Sequence, residues 1–180
     1  MGWKGKLREI AEGRFLRFVA CDGWEFAQRK KVSGIVVIVA ITAGSELVLV
    51  EQFRPPLGKE VIELPAGLAG DSPASESEDL LSAAKRELIE ETGHAASHWE
   101  PLARGVVSAG ITDEVLDLYF ASGAIKVGPG GGDETEKIAV HVIPLAQVPQ
   151  WLKRKQEEGK LIDLKIYAGL NFINLKGQHC

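Results

Sequence analysis

Between Arg86 and Gly93 the chain reads Arg-Glu-Leu-Ile-Glu-Glu-Thr-Gly, and no other segment constrains the fold as much. Glu87, Glu90 and Glu91 stand at i, i+3 and i+4, so on an α-helix they share one face. Like charges at those spacings destabilise an isolated helix by roughly 0.2–0.5 kcal/mol per pair. A hard divalent cation offsets the repulsion, and Mg²⁺ typically keeps waters and phosphate oxygens beside the carboxylates that hold it. A solvated acidic face is the plainer reading of three glutamates. The setting argues against it. Val61-Ile62-Glu63-Leu64-Pro65-Ala66-Gly67 upstream is an extended apolar segment ending in Pro and Gly. Leu80, Leu81, Ala84 and Leu88 recur at helical spacing and predict a buried stripe, and Gly93 stands where a left-handed C-cap stops the helix.

The remaining elements read as strands with few helices. Leu7–Ala20 and Trp24–Lys31 are expected to turn at Cys21-Asp22-Gly23, and Val32–Thr42 and Glu46–Phe53 at Ala43-Gly44-Ser45. Glu60–Leu64, Val106–Ser108, Leu116–Ala121 and Ile138–Pro144 read as further strands, and Pro149–Glu158 and Ile162–Asn174 as helices. Strands without strict βαβ alternation predict an α+β or mixed-sheet architecture. The 180 residues, 45% hydrophobic, suffice for one sizeable core. A net charge of −4 with no basic stripe argues against nucleic acid as partner. The longest apolar run, Ile35 to Ile41, is too short to span a bilayer. Two cysteines, Cys21 and Cys180, make no disulfide framework, and a cytoplasmic protein is expected.

The acidic segment resembles the signature of the Nudix hydrolases: a Gly, five residues, a Glu, seven residues, then Arg-Glu-aliphatic-x-Glu-Glu-x-Gly and an aliphatic residue. Seven residues separate Glu78 from Arg86, as the signature asks, whereas ten separate Gly67 from Glu78. A five-residue loop insertion accounts for the difference, and His94 replaces the final aliphatic residue. Outside the signature, Gln52-Phe53-Arg54, Glu63-Leu64-Pro65-Ala66-Gly67, Gly110-Ile111-Thr112-Asp113-Glu114 and Asp133-Glu134-Thr135-Glu136 resemble segments of the ADP-ribose pyrophosphatase branch. The resemblance implies an α+β fold in which a mixed sheet is sandwiched between helices (α/β/α), here with an N-terminal antiparallel β extension. Residues 1–31 form that extension and residues 32–180 the Nudix domain. It also implies a homodimer in which the extension reaches across to the partner.

The activity implied is Mg²⁺-dependent hydrolysis of the pyrophosphate bond of nucleoside diphosphate sugars, with ADP-ribose among them and Mn²⁺ as an alternative ion. Glu87, Glu90 and Glu91 are the implied metal ligands, with the Ala66 carbonyl as a backbone ligand. Arg86 orients Glu87 by a charge-assisted hydrogen bond; its simpler role is an i,i+4 pair with Glu90. The general base of the branch corresponds to Glu134, with Glu136 as a further metal ligand and Glu114 as second choice for the base. Arg54 and Arg29 are candidates to grip phosphate, since Arg offers a bidentate fork, and Glu63 to contact ribose or base. Trp24 and Phe26 alternate onto one strand face, where core or dimer contact is the plainer role than stacking on a base. The glycine run from Gly128 to Gly132 reads either as a loose surface connection or as a lid carrying the acids after it. Two rival functions stand: a Nudix enzyme acting on nucleoside triphosphates, and a non-catalytic nucleotide-sugar sensor on the same fold.

Overall fold

The computed structural model describes residues 5–70, 78–132 and 137–177. Three strands open the chain: β1 (Arg8–Glu12), β2 (Leu16–Cys21) and β3 (Trp24–Arg29), paired in that order as an antiparallel sheet. The single long strand expected over Leu7–Ala20 is therefore two. A tight turn in which Gly13 N–H donates to Leu16 O (2.8 Å) folds it back on itself. This small sheet has a core of only Val19, Cys21 and Phe26. Trp24, expected on the face of Phe26, is 62% exposed.

The body is a mixed sheet of nine strands among the described residues. Its centre is β4 (Gly34–Thr42) and β5 (Glu46–Arg54), joined by the expected turn at Ala43-Gly44-Ser45. Both are buried on two faces and are accordingly near-continuous runs of Val, Ile and Leu. The order runs β12 (Leu161–Ile162), β6 (Lys59–Glu63), β5, β4, β10 (Val115–Lys126) and β8 (His94–Ala95). In addition β7 (Ala66–Ala69) pairs with β4, β9 (His98–Val106) with β10, and β11 (Ile138–Pro144) with β5. The β10–β4 and β12–β6 pairings are parallel and the others antiparallel.

Strand alternation sends side chains to two apolar layers. Val36, Ile38, Ala40 and Val48 meet Ala83, Ala84 and Leu88 of α1 (Leu80–Thr92). Val37, Val39, Leu47, Leu49 and Ile62 meet Val148, Trp151 and Leu152 of α2 (Val148–Glu157) and Ile166 of α3 (Lys165–Gly177). Helices thus cover both faces, as the α/β/α expectation requires. Ile162, expected to begin the last helix, lies in β12, and Asp163 caps the turn into α3 by accepting from Lys165 N–H (2.8 Å).

Candidate active site

The acidic turn is held at both ends of its helix. Asp79 is the N-cap and accepts from Leu81 N–H and Ser82 N–H, each at 3.0 Å. At the other end Gly93 is left-handed (φ 68°, ψ 19°), and its N–H donates to Ile89 O at 2.8 Å. The expected Gly stop therefore forms as the spacing indicates.

Between these caps Glu87 and Glu91 face β7. Glu91 is 5% exposed and accepts from Ala66 N–H at 3.0 Å. The Glu87 carboxyl lies so close over Gly67 that a Cβ there would overlap it. Arg86 joins the group: Nη1 donates to Glu87 Oε1 (2.8 Å) and Glu90 Oε2 (2.9 Å), and Nη2 to Leu68 O (3.0 Å) and Glu78 Oε2 (3.1 Å). Its Nε also reaches Glu78 Oε1 at 3.2 Å. Both roles foreseen for Arg86 are present at once. Burial opposes its charge, but the hydrogen bonds to Glu78, Glu90 and Glu87 and the charge of Glu87 outweigh this and raise its pKa. Glu78 thus joins the site despite the long separation from Gly67.

Where it is described, the glycine run is tied to α1 and is not a loose surface connection. Gly131 N–H donates to Glu91 O (2.8 Å) and Gly132 N–H to Glu90 O (3.1 Å). Val127 N–H and Gly128 N–H both donate to Gly93 O, at 2.8 and 3.1 Å. A Cβ on Gly130 would overlap the backbone of Thr92 and Gly93, and one on Gly93 would overlap Gly128 O. The two segments cross at a distance only glycine permits. Sequence reasoning missed this strap, and the one local signal for it was the run of glycines itself. Glu134 and Glu136 lie outside the described residues.

The substrate-binding candidates form two separate ion pairs. Arg54 Nε donates to Glu63 Oε2 at 2.7 Å; alternation places both on the α1 face of the sheet, and Glu63 is 8% exposed. They border an apolar groove of about 460 Å³ that includes Leu57, Val107, Leu161 and Leu164. Arg29 Nε donates to Glu114 Oε1 at 2.8 Å. This second pair lines a polar cavity of about 230 Å³ with Ser33, Arg104, Asp113 and Asp117, where β3 meets the loop before β10. Each arginine is already matched to a carboxylate of the candidate set.

All donors on the acidic turn are hard oxygens, the class that suits Mg²⁺ rather than a thiophilic ion. Among the described residues no three acidic or imidazole groups converge on one point as they stand, because Arg86 spans Glu87 and Glu90. Glu90 keeps 53% of its side chain exposed and Glu91 is fixed against the Ala66 backbone. The donor chemistry fits a divalent cation beside a phosphate, and the clearance at Gly67 is what admits the Glu87 carboxyl to the group.

The NUDIX domain model matches residues 32–164. A Bacillus methanolicus protein named methanol dehydrogenase activator is 34% identical over 178 residues, covering 95% of this chain and 91% of that protein. An ADP-ribose pyrophosphatase of Bacillus subtilis is 26% identical over 147 residues, covering 81% of this chain and 75% of its own length. A crystal structure of an ADP compounds hydrolase superposes with a TM-score of 0.73 at 20% identity, covering 96% of this chain and 93% of that one. This last likeness is one of fold. Among the described residues no helix is long and apolar enough to cross a membrane.

Proposed function

The chain belongs to the NUDIX domain family, and on that premise we propose that it hydrolyses the pyrophosphate bond of nucleoside diphosphate sugars, ADP-ribose first among them. The products are a nucleoside monophosphate and a sugar phosphate. The observation that carries the reading is the contact of the acidic turn with the Pro-Ala-Gly segment: Glu91 on Ala66 N–H, Glu87 over Gly67, and Arg86 tying Glu87 and Glu90 to Leu68 O and Glu78. The relative named ADP-ribose pyrophosphatase supports the substrate class.

Glu87, Glu90 and Glu91, with the Ala66 carbonyl, would hold Mg²⁺ or Mn²⁺, and Glu136 would add a ligand. When bound there, such ions supply Lewis acidity to the phosphate oxygens and to the attacking water. Arg86 keeps Glu87 and Glu90 in register on their shared turn. Glu134 takes the proton from the attacking water, with Glu114 as the second candidate. Arg54 exchanges part of its bond to Glu63 for a phosphate, and Arg29 is poised to do the same from its pair with Glu114. Glu63, relieved of part of its charge partner, is then free to accept from a ribose hydroxyl.

Residues 1–31 serve as an arm that reaches a second copy, so the working unit is a homodimer. The exposed apolar side chains of Leu16 and Phe18, which alternation places on one face of the small sheet, support this, with exposed Phe15 beside them. Light scattering on the full chain and on a chain lacking residues 1–31 tests it. A full-length monomer would rule it out.

Incubating the protein with Mg²⁺ and ADP-ribose, GDP-mannose, UDP-glucose or a nucleoside triphosphate tests the reaction. Nucleoside monophosphate from the sugar nucleotides, lost on chelation, is the expected outcome. Pyrophosphate from the triphosphate alone would move the protein to another reaction of the family, and binding without turnover would make it a sensor. The Bacillus methanolicus relative favours a second reading, in which the same hydrolysis acts on a dehydrogenase system. Adding the protein to a methanol dehydrogenase assay, beside a Glu91→Gln variant, separates hydrolytic activation from none.

A further inference from the structure

The C-terminal end of α1 and its cap present five successive carbonyls, those of Ile89 to Thr92 in the helix and of Gly93 after it, and every one meets a donor. Four of them, on Ile89, Glu90, Glu91 and Gly93, receive backbone N–H groups from Gly93, Gly132, Gly131 and the Val127–Gly128 pair. The fifth, Thr92 O, is met by side chains. Lys126 Nζ donates to it at 2.9 Å, and the His94 Nδ1 lies at the same distance. The same ammonium donates to Pro129 O at 2.9 Å, so Lys126 fastens the helix end and the glycine strap together.

Lys126 is the last residue of β10, where its backbone pairs with His94 of β8. β10 runs parallel to β4 on one side, and β7 pairs with β4 through Gly34–Val37. The turn bearing Glu90 and Glu91 is therefore fixed at two points that belong to two different neighbours of β4. Glu91 bonds Ala66 N–H of β7, and Thr92 O bonds Lys126 of β10. A cation at a helix C-terminus also opposes the negative pole of the helix and the carboxylates one and two residues before Thr92.

We propose that Lys126 is a positioning residue for the metal-holding carboxylates: by gripping Thr92 O and Pro129 O it sets where Glu90 and Glu91 project from α1. This rests on reading those glutamates as ligands of a divalent cation. Groups that orient metal ligands without touching the ion typically change its affinity by about 10- to 100-fold when removed. A simple helix cap would instead lower stability and leave the ion's affinity alone.

The test is titration of the full-length protein with Mn²⁺, followed by electron paramagnetic resonance of the free ion, beside thermal melts and steady-state kinetics at saturating Mg²⁺. Lys126→Met is compared with Lys126→Arg and with Asp79→Ala, which uncaps the opposite end of the same helix. Lys126→Gln, which keeps a donor, stands in if the methionine variant does not fold. The expected result is Mn²⁺ binding weakened about tenfold or more in Lys126→Met, recovered in Lys126→Arg, and unaltered in Asp79→Ala despite a lowered Tm. KM for the nucleotide at saturating metal should hold while kcat falls. An Mn²⁺ affinity of Lys126→Met within about twofold of wild type would overturn the proposal, as would equal weakening in Asp79→Ala. A wild-type protein that binds no Mn²⁺ would overturn the ligand reading itself, and this inference with it.

Discussion

The Glu87 carboxyl occupies the space into which any side chain at position 67 would project, so Gly67 and Glu87 are a matched pair across β7 and α1. Gly67 has no need of a left-handed backbone; its requirement is clearance. Gly67→Ala is expected to push Glu87 aside while leaving the sheet intact. Displacements of this size in an active site cost about 10²-fold in rate. Steady-state kinetics with a thermal melt checks this, and unaltered kcat/KM in the folded variant would show that the Glu87 position is immaterial.

Arg86 donates to three carboxylates and one carbonyl at once, through Nε, Nη1 and Nη2. A lysine ammonium is a point charge with no fork and cannot span them. Arg86→Lys should therefore retain the net charge of the site yet lose about 10- to 100-fold in activity, the usual loss when support for metal ligands is removed. Glu78→Gln, which weakens one edge of the same cluster, should lose less. Activity in Arg86→Lys equal to wild type would reduce the cluster to surface charge pairing.

Glu134→Gln is expected to lower kcat by about 10²- to 10⁴-fold, the range for loss of a general base, with little change in KM. Should kcat hold, the same measurement on Glu114→Gln decides whether that residue takes the role instead.

His94 is buried and its pKa is lowered from 6.5, chiefly by burial; the bond to Thr92 O opposes this, and the charge of Lys126, the smallest of the three effects, adds to it. Below pH 6.5 the unfolded chain binds a proton that the folded chain resists. Stability is then full above that pH and is lost as pH falls through the lower folded-state value. His94→Leu, which removes the titrating group, should flatten this dependence. Urea unfolding at about pH 7.5 and about pH 5.5 measures it, and identical slopes in the two proteins would assign the loss to other groups.

How much of this was legible in the sequence depended on the range of the interactions. α1, its Gly93 stop and its buried Ala84 and Leu88 follow from spacing along one helix, and they form as expected. The pairing of Arg86 with both Glu87 and Glu90 is equally local. By contrast the strand expected over Val106–Ser108 meets β9 (His98–Val106) only at Val106. Pro101 falls in the middle of β9, tolerated because among the described residues β9 pairs only with β10 and the register shifts there, between Leu118 and Tyr119. The turn at Gly13 lacks an Asn-Gly or Asp-Gly pair, so β1 and β2 read as one strand. The pairings of Arg29 with Glu114 and of Arg54 with Glu63, and the strap against α1, join residues brought near by the sheet. Periodicity carries no record of them.

The crossing of Gly93 and Gly130 makes two positions behave as one heritable unit. Neither accepts a side chain on its own, because each glycine occupies the clearance the other segment needs. The chain beyond Gly132 nevertheless starts from a fixed origin pinned to Glu90 and Glu91. An insertion or deletion between Val127 and Gly132 would slide that origin off its two carbonyls, so the length of the strap is as constrained as its glycines.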